Sequence, residues 1–95
     1  MQFMITAYDG KDEGALDRRL SAREAHLAGA DQMKKDGNLI AGGAILDEAD
    51  KMIGSAMFVE FESKADLDKW LATDPYVSGN VWQDISVLPV RLAVK

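Results

Sequence analysis

The stretch Trp70-Leu71-Ala72-Thr73-Asp74-Pro75-Tyr76-Val77 ends a helical run and takes the chain round a corner. A residue before proline is pushed out of the helical region, so the helix stops at or before Asp74. Two roles are open to the Asp74 carboxylate. It can cap a new short turn with Pro75 at the first helical position, or it can serve another side chain. The sole histidine, His26, is the obvious partner.

Working back from the corner, Ser63 is placed to cap the second helix, with Asp66 as N3 partner and Leu67, Trp70 and Leu71 as the apolar stripe. Residues 54–61 read as a strand with Met57, Val59 and Phe61 on one side. An acidic connection, 47–53, joins it to a strand over 38–46, where Gly42-Gly43 predicts a bulge or a close backbone approach. Beyond the corner, 77–80 is a loop or short turn. The last strand, 81–94, is interrupted by Pro89, which demands an edge position or a bulge.

The N-terminal half follows the same alternation. Residues 2–8 are apolar on both faces, which predicts a strand covered on both sides. A polar loop (9–14) and a short helical turn (15–20) follow. Ser21-Ala22-Arg23-Glu24 fits a capping box, so the main helix is predicted from there to Asp36, closed by a left-handed Gly37. At 100° per residue, Ala22, His26, Gly29, Ala30 and Met33 share one face.

The order is β-α-β-β-α-β over one 95-residue domain. This is the ferredoxin-like arrangement, a four-stranded antiparallel sheet with both helices on one face. The uncovered face is then apolar, which predicts a homodimer or higher homo-oligomer. Met57 and Val59 are expected on that outward face.

Composition narrows the function. The net charge of −5 and the lack of a Lys/Arg cluster argue against nucleic acid or an anionic membrane as partner. The absence of cysteine removes disulfides, thiolate metal sites and cysteine nucleophiles. No run approaches transmembrane length and no basic lead segment precedes the first strand, so a cytoplasmic location is the expectation.

Arg19-Leu20-Ser21-Ala22-Arg23-Glu24-Ala25-His26-Leu27, Ala41-Gly42-Gly43, Phe61-Glu62-Ser63 and Asp74-Pro75-Tyr76-Val77 together resemble the YCII-related (YciI-like) family across nearly the whole chain. The resemblance implies a ferredoxin-like protomer that dimerises into an α+β barrel. It also implies a His–Asp active site in a cleft, which falls here on His26 and Asp74. One class of members is a dehydrochlorinase acting on a chlorinated hydroxyhydroquinone. This chain departs from the common Gly-Pro after Gly42, where it has Gly43-Ala44, and that leaves the substrate open.

The chemistry of these residues supports two functional classes. An unperturbed imidazole titrates at about 6.5, near working pH, and a carboxylate on its second nitrogen fixes the tautomer. Without the resemblance, a lone histidine on an apolar face reads more readily as a core residue satisfied by a carbonyl. Arg23, one turn earlier, can hold an anionic or phenolic substrate, or simply pair with Glu24 or Asp17. Tyr76 and Trp82 can wall an aromatic pocket or belong to the core. One reading is therefore a cofactor-independent enzyme, with no metal, using His26 and Asp74 for proton transfer on a small aromatic or enolisable substrate, in a halide elimination (lyase) or an isomerisation. The other is a non-catalytic dimer that binds a small metabolite.

One difficulty stands against the pair. With the helix starting at Ser21, His26 lies near its beginning, whereas Asp74 follows the end of the second helix. The two positions are then more than ~10 Å apart unless a loop folds back or the pair forms across a dimer.

Overall fold

The computed structural model describes residues 1–95. The chain runs β1 (Gln2–Asp9), α1 (Ala15–Asp36), β2 (Leu39–Leu46), β3 (Met52–Glu60), α2 (Lys64–Thr73), α3 (Pro75–Ser78) and β4 (Trp82–Val90). The strands form one sheet in the order β2-β3-β1-β4, with every neighbouring pair antiparallel. This is the predicted ferredoxin-like topology. Pro89 sits on β4, an edge strand, which is a position where a proline is tolerated.

The main helix is longer than predicted. It begins at Ala15, so Ser21 lies inside it and caps nothing. Residues 15–20 are ordinary helix formers with no glycine or proline to stop them, and Asp17 favours the positive end of the helix. Gly14 occupies the N-cap without a side-chain cap bond, and Gly37 closes the helix at φ 83°. The resulting 22 residues span about 33 Å. His26 is therefore near the middle of α1, not its start.

Strand alternation divides the sheet cleanly. Phe3, Ile5 and Ala7 of β1 pair with Val59, Met57 and Ser55 of β3, and all six are buried beneath the helices. The expectation that Met57 and Val59 face outward is thus reversed. Their opposites in phase, Met4 on β1, Ala56 and Phe58 on β3 and Leu88 on β4, occupy the helix-free face. Leu67, Tyr76, Val81 and Trp82 complete the core from the second half of the chain. Each large apolar side chain fully withdrawn from water contributes ~1.5–3 kcal/mol.

The ladder irregularities of β2 fall at Leu39/Ala41 and Ile45/Leu46, not at the glycine pair. No helix is long and apolar enough to cross a membrane.

Candidate active site

The corner at Asp74 fills both roles open to it. Its backbone is extended (φ −67°, ψ 132°), as the following proline requires. Pro75 then starts α3, and the Tyr76 N–H donates to Asp74 Oδ1 at 2.9 Å. The same carboxylate meets His26 Nδ1 at 2.9 Å through Oδ1 and 3.1 Å through Oδ2. The pair forms within one chain. Two features remove the expected separation: α1 extends far enough N-terminally to bring His26 to its middle, and α3 folds back across α1.

Both partners are buried, with 9% and 6% of their side chains exposed. The imidazole lies flat on the Tyr76 ring, centroids 3.8 Å apart and 11° from parallel. Trp82 meets it edge-on at 5.6 Å. An ionised carboxylate accepts only, so Nδ1 carries the proton in the neutral ring. His26 Nε2 then holds a lone pair, and it has no hydrogen-bond partner in the chain.

A cavity of about 140 Å³ lies between α1 and the β2–β3 half of the sheet, with His26, Tyr76 and Arg23 among its lining residues. An apolar cavity of about 150 Å³ accommodates a benzene ring, so this one fits a single small ring. Gly42 keeps it open. A Cβ there would press on Met57 Cγ at 3.2 Å, and both residues line the cavity. Gly43 would meet nothing.

Arg23 is exposed at the cavity and forms no ion pair, so the predicted alternative with Glu24 or Asp17 is not made. Burial raises the pKa of the Tyr76 hydroxyl, and the positive charges of Arg19 and Arg23 oppose that rise. The hydroxyl consequently remains protonated at neutral pH. Trp82 does not line the cavity; it backs the imidazole and its Nε1 donates to Ser55 Oγ at 3.1 Å. Glu60, on the third strand, bonds Gln2 and takes no part in the cavity.

Three residues of the site went unassigned in the sequence. Arg19 Nη1 donates to Asp9 Oδ1 and Oδ2 at 3.0 and 3.2 Å, and Nη2 to Ser55 Oγ at 2.9 Å. All three residues are buried. The Arg19 guanidinium also lies 4.8 Å from the Tyr76 ring centre. The signal was present: seven residues before His26 is two helical turns, about 20° away on the same face. Asp9 continues the inward phase of Phe3, Ile5 and Ala7. Starting the helix at Ser21 hid Arg19, and ending the strand at Tyr8 hid Asp9. Gly29, which the helical wheel places toward the inner face, is open to solvent.

Residues 1–91 match the model of the YCII-related domain. The chain belongs to the YCII-related family. Protein YciI of Escherichia coli O6:H1 is 35% identical over 96% of this chain and 97% of its own length. Among solved structures, the chain resembles the 5-chloro-2-hydroxyhydroquinone dehydrochlorinase of Burkholderia phenoliruptrix AC1100, in complex with 2,5-dihydroxybenzoquinone. The TM-score is 0.83 and the identity 25%, over 96% of this chain and 94% of that one. A dimeric ferredoxin-like protein of unknown function from Jannaschia sp. CCS1 shares the fold, with TM-score 0.55 and 17% identity over 96% and 98% of the two chains.

Proposed function

We propose that this protein is a cofactor-independent acid–base enzyme acting on a small hydroxylated or enolisable ring, with His26 as the base. The observation that carries the reading is the His26–Asp74 bond at 2.9 Å, which leaves Nε2 without a partner on a residue lining a ring-sized cavity. Nε2 accepts a proton from the substrate, and Asp74 stabilises the imidazolium that results. Tyr76 holds the imidazole plane, and Arg23 attracts a phenolate or carbonyl oxygen at the rim.

The dehydrochlorinase relative supports elimination as the reaction class. In such a step a proton passes to Nε2 and the halide departs with the electron pair of its carbon bond. The electrons released at the deprotonated position form the new π bond, so no external oxidant is needed. Chloride release from 5-chloro-2-hydroxyhydroquinone tests this. The native protein should release chloride faster than the spontaneous reaction, and His26→Gln should reduce the rate by at least about a hundredfold. Equal rates for the two proteins would overturn the assignment of His26.

We also propose a homodimer through the helix-free sheet face, where Met4, Phe58 and Leu88 lie side by side across three strands. Leu88 is 53% exposed in the single chain. The dimeric ferredoxin-like relatives support this assembly. Sedimentation should give about twice the chain mass of 10.4 kDa; a monomer at micromolar concentration would contradict it.

A further inference from the structure

Ser55 lies on the helix-facing side of β3, between Ala7 of β1 and Ala44 of β2, and is 3% exposed. Its hydroxyl oxygen has two acceptor lone pairs and one proton to donate. Both lone pairs are engaged. Arg19 Nη2 donates to one at 2.9 Å and Trp82 Nε1 to the other at 3.1 Å. Nothing in the chain accepts the Ser55 proton, although buried hydroxyls ordinarily find an acceptor. Arg19 approaches from α1 and Trp82 from the β4 side of the sheet. The direction that remains is the β2 side, where Ser55 lines the cavity beside Ala44.

We infer that Ser55 is the hydrogen-bond donor that recognises a ring oxygen of the substrate, with the chain Asp9–Arg19 behind it. Because both lone pairs are taken by N–H donors, Ser55 cannot turn to accept from a ligand. It selects carbonyl or oxyanion oxygen over a group that can only donate. The charge-assisted bond from Arg19 polarises the hydroxyl and strengthens its donation. Asp9 neutralises Arg19 in turn, so the buried guanidinium behind Ser55 is paired before a ligand arrives. A donor fixed in this way stabilises negative charge that develops on the ring oxygen as His26 removes a proton. This inference rests on the proposed site and names its oxygen-recognising group.

The test compares two probes by calorimetry: 2,5-dihydroxybenzoquinone, which carries ring oxygens, and benzene, which carries none. The native protein should bind both. Ser55→Ala should weaken the quinone about tenfold to a hundredfold and leave benzene binding within about twofold. Ser55→Ala also orphans Arg19 Nη2 and Trp82 Nε1. If that variant fails to fold, Ser55→Cys keeps the shape and supplies only a weak donor, and should give the same split. Equal loss of both probes in a folded variant, or no loss of either, would overturn the role of Ser55 while leaving the cavity and His26 in place. Failure of the native protein to bind either probe would overturn the site and this inference together.

Discussion

Two buried polar pairs sit on one stripe of α1, two turns apart, and they are finished differently. In the Arg19 pair, both Nη groups find partners inside the chain, on Asp9 and Ser55. In the His26 pair, Asp74 takes Nδ1 and nothing takes Nε2. The first is a closed charge pair that joins α1 to the end of β1 and to β3. The second is open on the cavity side. In the first pair only Nε of Arg19 is left buried without a partner, whereas the unmatched Nε2 of His26 belongs to a residue that lines a ring-sized cavity, and this is the difference the proposed function rests on.

The largest expected effect breaks the closed pair. Asp9→Ala leaves an uncompensated guanidinium in the core and should cost about 3–5 kcal/mol in urea unfolding. Replacing both partners together with apolar residues of similar volume should recover much of that loss. A cost below ~1 kcal/mol for Asp9→Ala would show that water reaches Arg19.

Next in size is a contrast between adjacent strand positions. Met57 is 3% exposed beneath the helices, while Phe58 faces the other way. Met57→Lys buries an unpaired ammonium and should destabilise the folded chain by about 2–3 kcal/mol. Phe58→Lys should instead leave a folded chain that sediments as a monomer. Circular dichroism and sedimentation on the two variants separate these outcomes.

His26→Ala comes third, at about 1–3 kcal/mol in thermal unfolding. The stack on Tyr76 and the bond to buried Asp74 both go, although Asp74 keeps the Tyr76 N–H. Stability loss therefore does not discriminate a catalytic from a structural histidine here, because the same ring is packed on one side and open on the other. A loss under ~0.5 kcal/mol would contradict the packing described.

The smallest effect lies outside both pairs. The Arg18 guanidinium beside Asp12 holds its carboxyl down to about 2, from an ordinary 3.8. A lowered folded-state pKa stabilises above the unfolded value, and that contribution disappears as pH falls from about 3.8 to 2. Asp12→Asn should be slightly less stable than the native protein above this window and equal to it below. The pair is exposed, so the difference is small. An acid titration followed by circular dichroism gives the sign.

Local patterns carried most of the fold. Strand alternation, the Gly37 stop, the Pro89 edge position and the Asp74-Pro75 corner were all readable from neighbours in sequence. The start of α1 was not. Ser21-Ala22-Arg23-Glu24 has the chemistry of a capping box, but a box caps only where the residues before it are non-helical, and residues 15–20 continue the helix. That one displacement produced the apparent gap between His26 and Asp74 and concealed Arg19. The outward phase of β3 was also beyond local reading, because β1 and β3 are apolar on both faces and only the packed helices choose between them. His26, Asp74, Tyr76 and Arg23 were legible as a candidate site. Ser55 was not, since its significance lies in two donors that arrive from residues 36 and 27 positions away.

The central claim is that Asp74 holds the neutral His26 ring with its proton on Nδ1 and its lone pair on Nε2. The chain has one histidine, so ¹⁵N-resolved NMR reads that ring without overlap. Above its titration, the native protein should show a protonated Nδ1 and a bare Nε2. Asp74→Asn, which retains capping ability, should shift the ring toward the other tautomer. A proton on Nε2 in the native protein, or a ring indifferent to Asp74→Asn, would contradict the account.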